Sequence, residues 1–267
     1  VLLGACLLYF GYIFSGFMAR PEWGSVVRST FVPEMKMESG FLMLCIAIIG
    51  TTITPWMQFY LQSSIAEKGI KKENYKYSKL DVIIGCLITN IVAFFIMVTC
   101  STTLFPHGIR IDEAHEAALA LKPFAGKYAA SLFALSLANA SILGAIIVPL
   151  ATAYYICEAV GWETGINKTF RQAPQFKSIY TALIAISALL VLLPDAPLVL
   201  LMISSSVLNG LLLPFVLVFA LALINKKKIM GEYINSKAQN YISWATVVAL
   251  VVLTGAMISM SILPALN

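Results

Sequence analysis

The stretch Ile49-Gly50-Thr51-Thr52-Ile53-Thr54-Pro55-Trp56-Met57-Gln58 decides how the chain is read. It lies inside an apolar run that begins near Gly40 and gives way to polar sequence near Glu67. That length suits a membrane-spanning helix, which needs about 20 mostly apolar residues. Its centre is poorly suited to helix. Pro55 has no N–H, and its ring clashes with the carbonyl four residues back, that of Thr51. Thr52, Ile53 and Thr54 are β-branched and stiff, and Gly50 adds backbone freedom. In hydrocarbon an unpaired carbonyl is costly, so unwound backbone persists only where it is buried in protein or lines a wet cavity. Two readings are open at this point. Helices broken at the midplane, with hydroxyls beside freed carbonyls, are how secondary transporters build ion sites. A proline kink patched by Thr back-bonding leaves the same pattern with no ligand.

Working outward, the composition sets the class. Hydrophobic residues make up 60% and charged residues 12% of the chain, with a mean hydropathy of +0.87. Soluble domains carry about 25% charged residues, so this is a polytopic membrane protein. Five cysteines (Cys6, Cys45, Cys86, Cys100 and Cys157) are scattered without a C-x-x-C or Cys/His pairing, which indicates neither disulfides nor zinc. The net charge of +5 comes with no basic stripe interleaved with aromatics, which excludes a nucleic-acid partner. The chain opens at Val1 in apolar sequence with neither Met nor a basic segment, so it is not read as a signal peptide. It is expected to be the C-terminal portion of a longer protein.

Seven spans are expected within one transmembrane domain covering 1–267, at about 1–18, 41–66, 80–105, 128–158, 178–193, 198–224 and 242–263. The fifth stops at Pro194-Asp195-Ala196-Pro197, a tight turn, and the sixth is interrupted by Asn209, Gly210 and Pro214. Between spans three and four an amphipathic helix is expected over Ile111–Leu121, with Ile111, Ala114, Ala118 and Leu121 on one face. The loops after spans two, four and six hold five, three and four Lys/Arg, against three, three and none in the others. The positive-inside rule therefore places the loops after even spans in the cytoplasm.

Acids inside the spans, the usual functional flag, are almost lacking; Asp81 and Glu158 sit at span ends. The polar content is neutral oxygen and amide: Thr51, Thr52, Thr54, Gln58 and Gln62 in span two, Asn139 in span four, Ser206 in span six. Gln58 and Gln62 share one helix face by their spacing. Oxygen ligands of this kind suit hard cations such as Mg²⁺. His107 and His115, with Asp112, Glu113 and Glu116, read as a solvated outer face. No H-E-x-x-H, G-x-S-x-G or P-loop is present, so hydrolase and ATPase readings lack residues to carry them, and the chain is not read as an enzyme.

Three motifs carry a resemblance. Met18-Ala19-Arg20-Pro21-Glu22-Trp23 resembles the A-R-P-x-W segment after the fifth transmembrane helix of the Nramp divalent-metal transporters. Gly50-Thr51-Thr52-Ile53-Thr54-Pro55 falls where that family has G-A-T-V-M-P-H-N, and Leu213-Pro214-Phe215 matches an L-P-F in its tenth helix. The resemblance covers essentially the whole chain, as helices five to eleven of an all-α, LeuT-type transporter fold. The departures are informative. The family's metal-ligating methionine corresponds to Thr54 and its carbonyl-donating alanine to Thr51. Its histidine is Trp56, its asparagine is Met57, and a tenth-helix glutamine aligns with Ser206. These replacements are similar to those of the family's magnesium-transporting branch.

The resemblance thus implies a carrier of a divalent cation, Mg²⁺ or Mn²⁺, working by alternating access without proton coupling, in a plasma (inner) membrane. Thr51 and Thr54 are the expected metal contacts, with Gln58, Asn139 and Ser206 as weaker candidates. The ion is cargo and no cofactor is expected. The partners are the metal and the lipid bilayer. Alternatives are a proton-coupled Mn²⁺/Fe²⁺ importer, a LeuT-fold Na⁺/organic-substrate symporter, and a transport-inactive receptor-like membrane protein.

Overall fold

The computed structural model describes residues 4, 6–32, 34, 38–109, 111, 114–193 and 196–262. Among them there is no strand; the chain is all-α. Nine helices organise the described residues: α1 (Phe10–Met18), α2 (Trp23–Phe31), α3 (Ser39–Thr52), α4 (Pro55–Glu67), α5 (Tyr75–Thr103), α6 (Ala129–Val160), α7 (Pro174–Val191), α8 (Leu198–Ile224) and α9 (Lys237–Ile262). Short 3-10 turns and single helical turns join them. Six stretches are long and apolar enough to cross a membrane: Ser39–Glu67 taken across its break, Lys72–His107, His115–Val160, Pro174–Val191, Leu198–Ile224 and Lys237–Ser259. A shorter apolar helix covers Cys6–Met18. Many large apolar side chains on these helices face outward, among them Leu87 and Phe219. In water that would be an aggregation surface; against acyl chains it costs nothing.

The residues divide into two compact units, one of Val1–Glu34 and Gln62–Leu192, the other of Met35–Leu61 and Leu193–Asn267. In the first, Tyr12, Leu121 and Ala129 form a core flanked by Ile96, Ala125, Leu132 and Phe133. Two of the hydroxyls buried here bond to backbone carbonyls. Ser15 donates its hydroxyl to the Ala120 carbonyl at 2.8 Å, and Thr99 donates to the Phe95 carbonyl at 2.6 Å. After α1 the chain turns at Arg20, whose φ of 51° is the one positive value at a described non-glycine residue. Pro21 follows, so the segment cannot continue as helix.

In the second unit α3, α8 and α9 pack together around Leu42, Ile46 and Met257, with Val207, Leu211 and Leu253 against them. Contrary to the sequence expectation, Asn209, Gly210 and Pro214 do not interrupt α8, which is continuous with Pro214 inside it. The reason is local: proline forfeits only the bond to its i−4 carbonyl, that of Gly210, and the rest of the ladder stands. The segment before α6 also differs. It forms a 3-10 helix over Ala114–Leu121 in place of an amphipathic α-helix from Ile111, which is exposed. A three-residue turn stacks i and i+3, so Ala118 and Leu121 still share the buried face. Asp112 and Glu113, and the Pro194-Asp195 half of the tight turn, lie outside the described residues.

Candidate functional site

The break in the span is narrow. α3 runs through Thr52, only Ile53 and Thr54 leave the helix, and α4 starts at Pro55. Ile53 closes α3 with a bond from its N–H to the Ile49 carbonyl at 2.8 Å, at φ −117° and ψ 81°. α4 begins with Met57 N–H donating to the Thr54 carbonyl at 3.3 Å. Proline suits this place because the first helical position has no intrahelical use for an N–H. For the same reason Pro55 offers no donor to Thr51.

The two candidate threonines are placed differently. Thr51 is exposed and its hydroxyl donates to the Ile48 carbonyl at 3.0 Å; Thr52 donates to the same oxygen at 2.7 Å. Thr back-bonding, the feature of the plain-kink reading, is therefore present on the α3 side of the break. The Thr51 hydroxyl proton is committed to the Ile48 carbonyl, while the lone pairs of its oxygen, like those of a carbonyl, can still face a cation. Thr54 is half-buried between the two helix ends, Pro55 is buried, and Trp56 and Gln58 are half-buried.

What fixes the first half-helix is a close crossing the sequence does not announce. Gly50 on α3 and Gly210 on α8 meet backbone to backbone. A methyl built on Gly50 would overlap the Ser206 carbonyl oxygen and lie 2.8 Å from the Gly210 Cα. One built on Gly210 would overlap the Ile46 carbonyl oxygen. Only glycine allows helix backbones so close. Ser206 is thus brought to Gly50, but by its main chain; its hydroxyl donates to the Met202 carbonyl at 2.7 Å. Ile53 itself forms part of the wall of a groove of about 380 Å³ in this unit, whose other walls include Leu221 and Ile224 of α8 and Gln239, Ser243 and Thr246 of α9.

Asn139 belongs to the other unit and is 5% exposed. Its amide nitrogen donates to the Tyr9 hydroxyl at 3.2 Å and reaches the Cys6 thiol at 3.7 Å, while its Oδ1 is buried without a partner. Among the described residues no three His, Cys, Asp or Glu side chains gather in a way that would hold a metal. The side-chain donors of the candidate set, among the described residues, are neutral hydroxyls and amides. His107 is exposed, with Nδ1 2.9 Å from the Thr103 carbonyl.

Two features escaped the sequence reading: the Gly50–Gly210 crossing, and a carboxylate knot at the far end of α4 in which Glu67 meets Tyr154. Both pair residues more than eighty positions apart, and no short motif marks either.

Comparison with known proteins bears on the family. The family described as natural resistance-associated macrophage protein-like, Nramp, matches residues 1–260. A divalent metal cation transporter MntH of Yersinia enterocolitica is 29% identical over 245 residues, covering 89% of this chain and 56% of the relative. The MntH of Caldanaerobacter subterraneus subsp. tengcongensis is 23% identical over 258 residues, 94% of this chain and 58% of the relative. That of Clostridium acetobutylicum is 24% identical over 233 residues, 85% and 51%. The chain spans little more than half the length of these relatives.

Proposed function

The chain belongs to the Nramp family, and from that premise we propose that it is part of a carrier that moves a divalent metal cation, chiefly Mg²⁺, by alternating access around the break at Ile53–Thr54. It is a multi-pass integral membrane protein of all-α, LeuT-type fold. Its seven apolar segments are taken as helices five to eleven of one transmembrane domain, in the plasma membrane. The relatives are named divalent metal cation transporters, which supports transport and not catalysis as the activity.

The observation that carries the metal choice is the donor set at the break. Where the family's pattern has a thioether, this chain has the half-buried hydroxyl of Thr54. Mg²⁺ is hard, prefers oxygen and dehydrates reluctantly, so a site of hydroxyl, carbonyl and retained water suits it better than it suits softer ions. In this reading the Thr51 carbonyl and Thr54 hydroxyl touch the ion or its water shell, with Gln58 and Ser206 in support. Asn139 is kept as a candidate for its unpartnered Oδ1. Trp56 stands where the family's pattern has histidine, and the midplane of the described spans lacks acids, so transport is not coupled to protons.

The test uses the full-length protein in proteoliposomes carrying an internal pH dye. Wild type takes up Mg²⁺ with a steady internal pH, and Thr54→Met shifts the uptake ratio away from Mg²⁺ and toward Cd²⁺ or Mn²⁺. Acidification that tracks Mg²⁺ entry returns the protein to the proton-coupled importers. A ratio that stays put, or moves toward Mg²⁺, removes Thr54 from the site.

A further inference from the structure

The second half-helix of the broken span ends in a knot of polar bonds. α4 stops at Glu67, beyond which Gly69 takes a left-handed φ of 63° and its N–H returns to the Ala66 carbonyl at 3.0 Å. The Glu67 carboxylate accepts from two directions: from the Tyr154 hydroxyl at 3.0 Å on Oε2, and from the Ile166 N–H at 3.2 Å on Oε1. The Ile166 N–H also lies 3.2 Å from the Tyr154 oxygen, and the Ile166 carbonyl accepts from Lys177 Nζ at 2.9 Å. Tyr154 is 2% exposed, with its ring edge-on to the equally buried Phe176 at 4.8 Å between centroids. Three separate stretches therefore meet at one carboxylate, the end of α4, the last third of α6 and the loop 161–173, and the first turn of α7 joins them at one remove through Lys177 and the Ile166 carbonyl. All belong to one unit. By the distribution of Lys and Arg, the loops involved face the cytoplasm.

Bonds to an ionised carboxylate are roughly twice as strong as neutral ones. A tyrosine hydroxyl buried to this degree needs a partner. The geometry is also selective: α4 is a stiff rod whose opposite end begins at the break, and Glu67 is its last residue. We propose that Glu67 and Tyr154 form a cytoplasmic latch that holds the second half-helix against α6 and the loop 161–173 in one state of the transport cycle and parts in the other. Glu67 is then a positioning residue that touches no ion. The proposal rests on the transport reading above, but the latch itself can be tested without any metal.

Cys157 provides the readout. It is fully buried on α6 one turn beyond Tyr154, and its carbonyl accepts from Trp162 N–H at the start of the same loop. In full-length protein with Cys157 as sole cysteine, inside-out vesicles are treated with a membrane-impermeant maleimide. Glu67→Ala and Tyr154→Phe are expected to label about tenfold faster than wild type, the size expected for losing a bond to a charged group. Tyr154→Phe keeps the ring on Phe176, so the helix packing survives, and Glu67→Gln, which retains an acceptor oxygen, falls nearer wild type. Transported Mg²⁺ or Mn²⁺ speeds labelling of wild type but adds nothing to Glu67→Ala, whose maximal uptake rate falls several-fold with KM unchanged. Unchanged labelling in Glu67→Ala overturns the latch whatever the uptake. Faster labelling with full uptake overturns its role in the cycle. A wild type that moves no divalent metal, while Glu67→Ala labels faster, overturns the transport reading and with it that role, but not the closure at Glu67.

Discussion

The two halves of the broken span are held by different physics. α3 is fastened along its length: Leu42, Ile46, Ala47 and Gly50 are buried, and at Gly50 its backbone touches that of α8. α4 has only Pro55 and Ser63 buried, and its last residue is tied by a carboxylate to two other stretches. Apolar packing at close range is stiff, because small displacements forfeit many contacts at once. A polar tether can be exchanged for water at the membrane surface at small net cost. In the cycle proposed above, α3 is then the fixed wall beside the break and α4 the half that moves.

The contrast breaks most visibly at the glycine crossing. Gly210→Val would place a branched side chain into the Ile46 carbonyl and its Cγ2. The obstacle is helix backbone, which cannot swing aside, so the helices must separate and the core of Leu42, Ile46 and Met257 opens. Overpacking of this kind costs about 1–3 kcal/mol or more. The expected outcome is a large fall in melting temperature and in yield of folded protein, read by size exclusion after heating. Gly85→Ala and Gly144→Ala, where an added Cβ meets nothing within 4 Å, serve as controls and should match or exceed wild type. If Gly210→Val melts like those controls, α3 is not the fixed wall.

Apolar runs and charge alternation made the helices legible in the sequence, and Pro55 made the break legible, because those signals are local. The extent of the break was not: Thr51 and Thr52 stay helical, with the Ile53 N–H still bonded to the Ile49 carbonyl and both threonine hydroxyls back-bonded to Ile48, a choice no pattern of residue types reveals. Gly210 and Pro214 looked like interruptions because in water they would be; inside a packed apolar helix each costs only local bonds. Ser206 drew notice for its hydroxyl, yet its carbonyl is what meets Gly50. Glu67 read as one charge among many at a span end, and its partners lie about 90–100 positions away in sequence.

A second, smaller effect sharpens the division at the break itself. Pro55→Ala restores an N–H at the first position of α4 and permits a helical bond back to Thr51. The mobile half is then joined to the fixed half. Uptake of Mg²⁺ should fall strongly while expression and melting temperature hold or rise, since alanine favours helix. Hydrogen exchange over residues 52–57 should slow in step. Unchanged uptake with slowed exchange would show that the break is a kink with no part in ion passage.

The smallest effect tests whether any carboxylate in this region would serve as a latch. Glu163 and Lys168, in the same loop that meets Glu67, form an ion pair five residues apart. The hydrogen bond from Lys168, followed by its charge, holds the Glu163 carboxyl below its ordinary value of 4.5. A depressed folded-state value means that the pair adds stability above the unfolded value, and that this is lost as the pH falls through the folded one. Both side chains are open to solvent, where such pairs are screened and contribute little. Glu163→Gln should therefore leave Cys157 labelling and uptake as they are. Any difference in melting temperature from wild type should be slight near neutral pH, shrink in high salt, and vanish once the solution is acidified well below 4.5. Glu67 differs because its carboxylate joins elements distant in sequence around a buried tyrosine, whereas Glu163 ties a loop to itself. If Glu163→Gln frees Cys157 as readily as Glu67→Ala does, general loosening of the loop explains both, and the tether at the end of α4 loses its special standing.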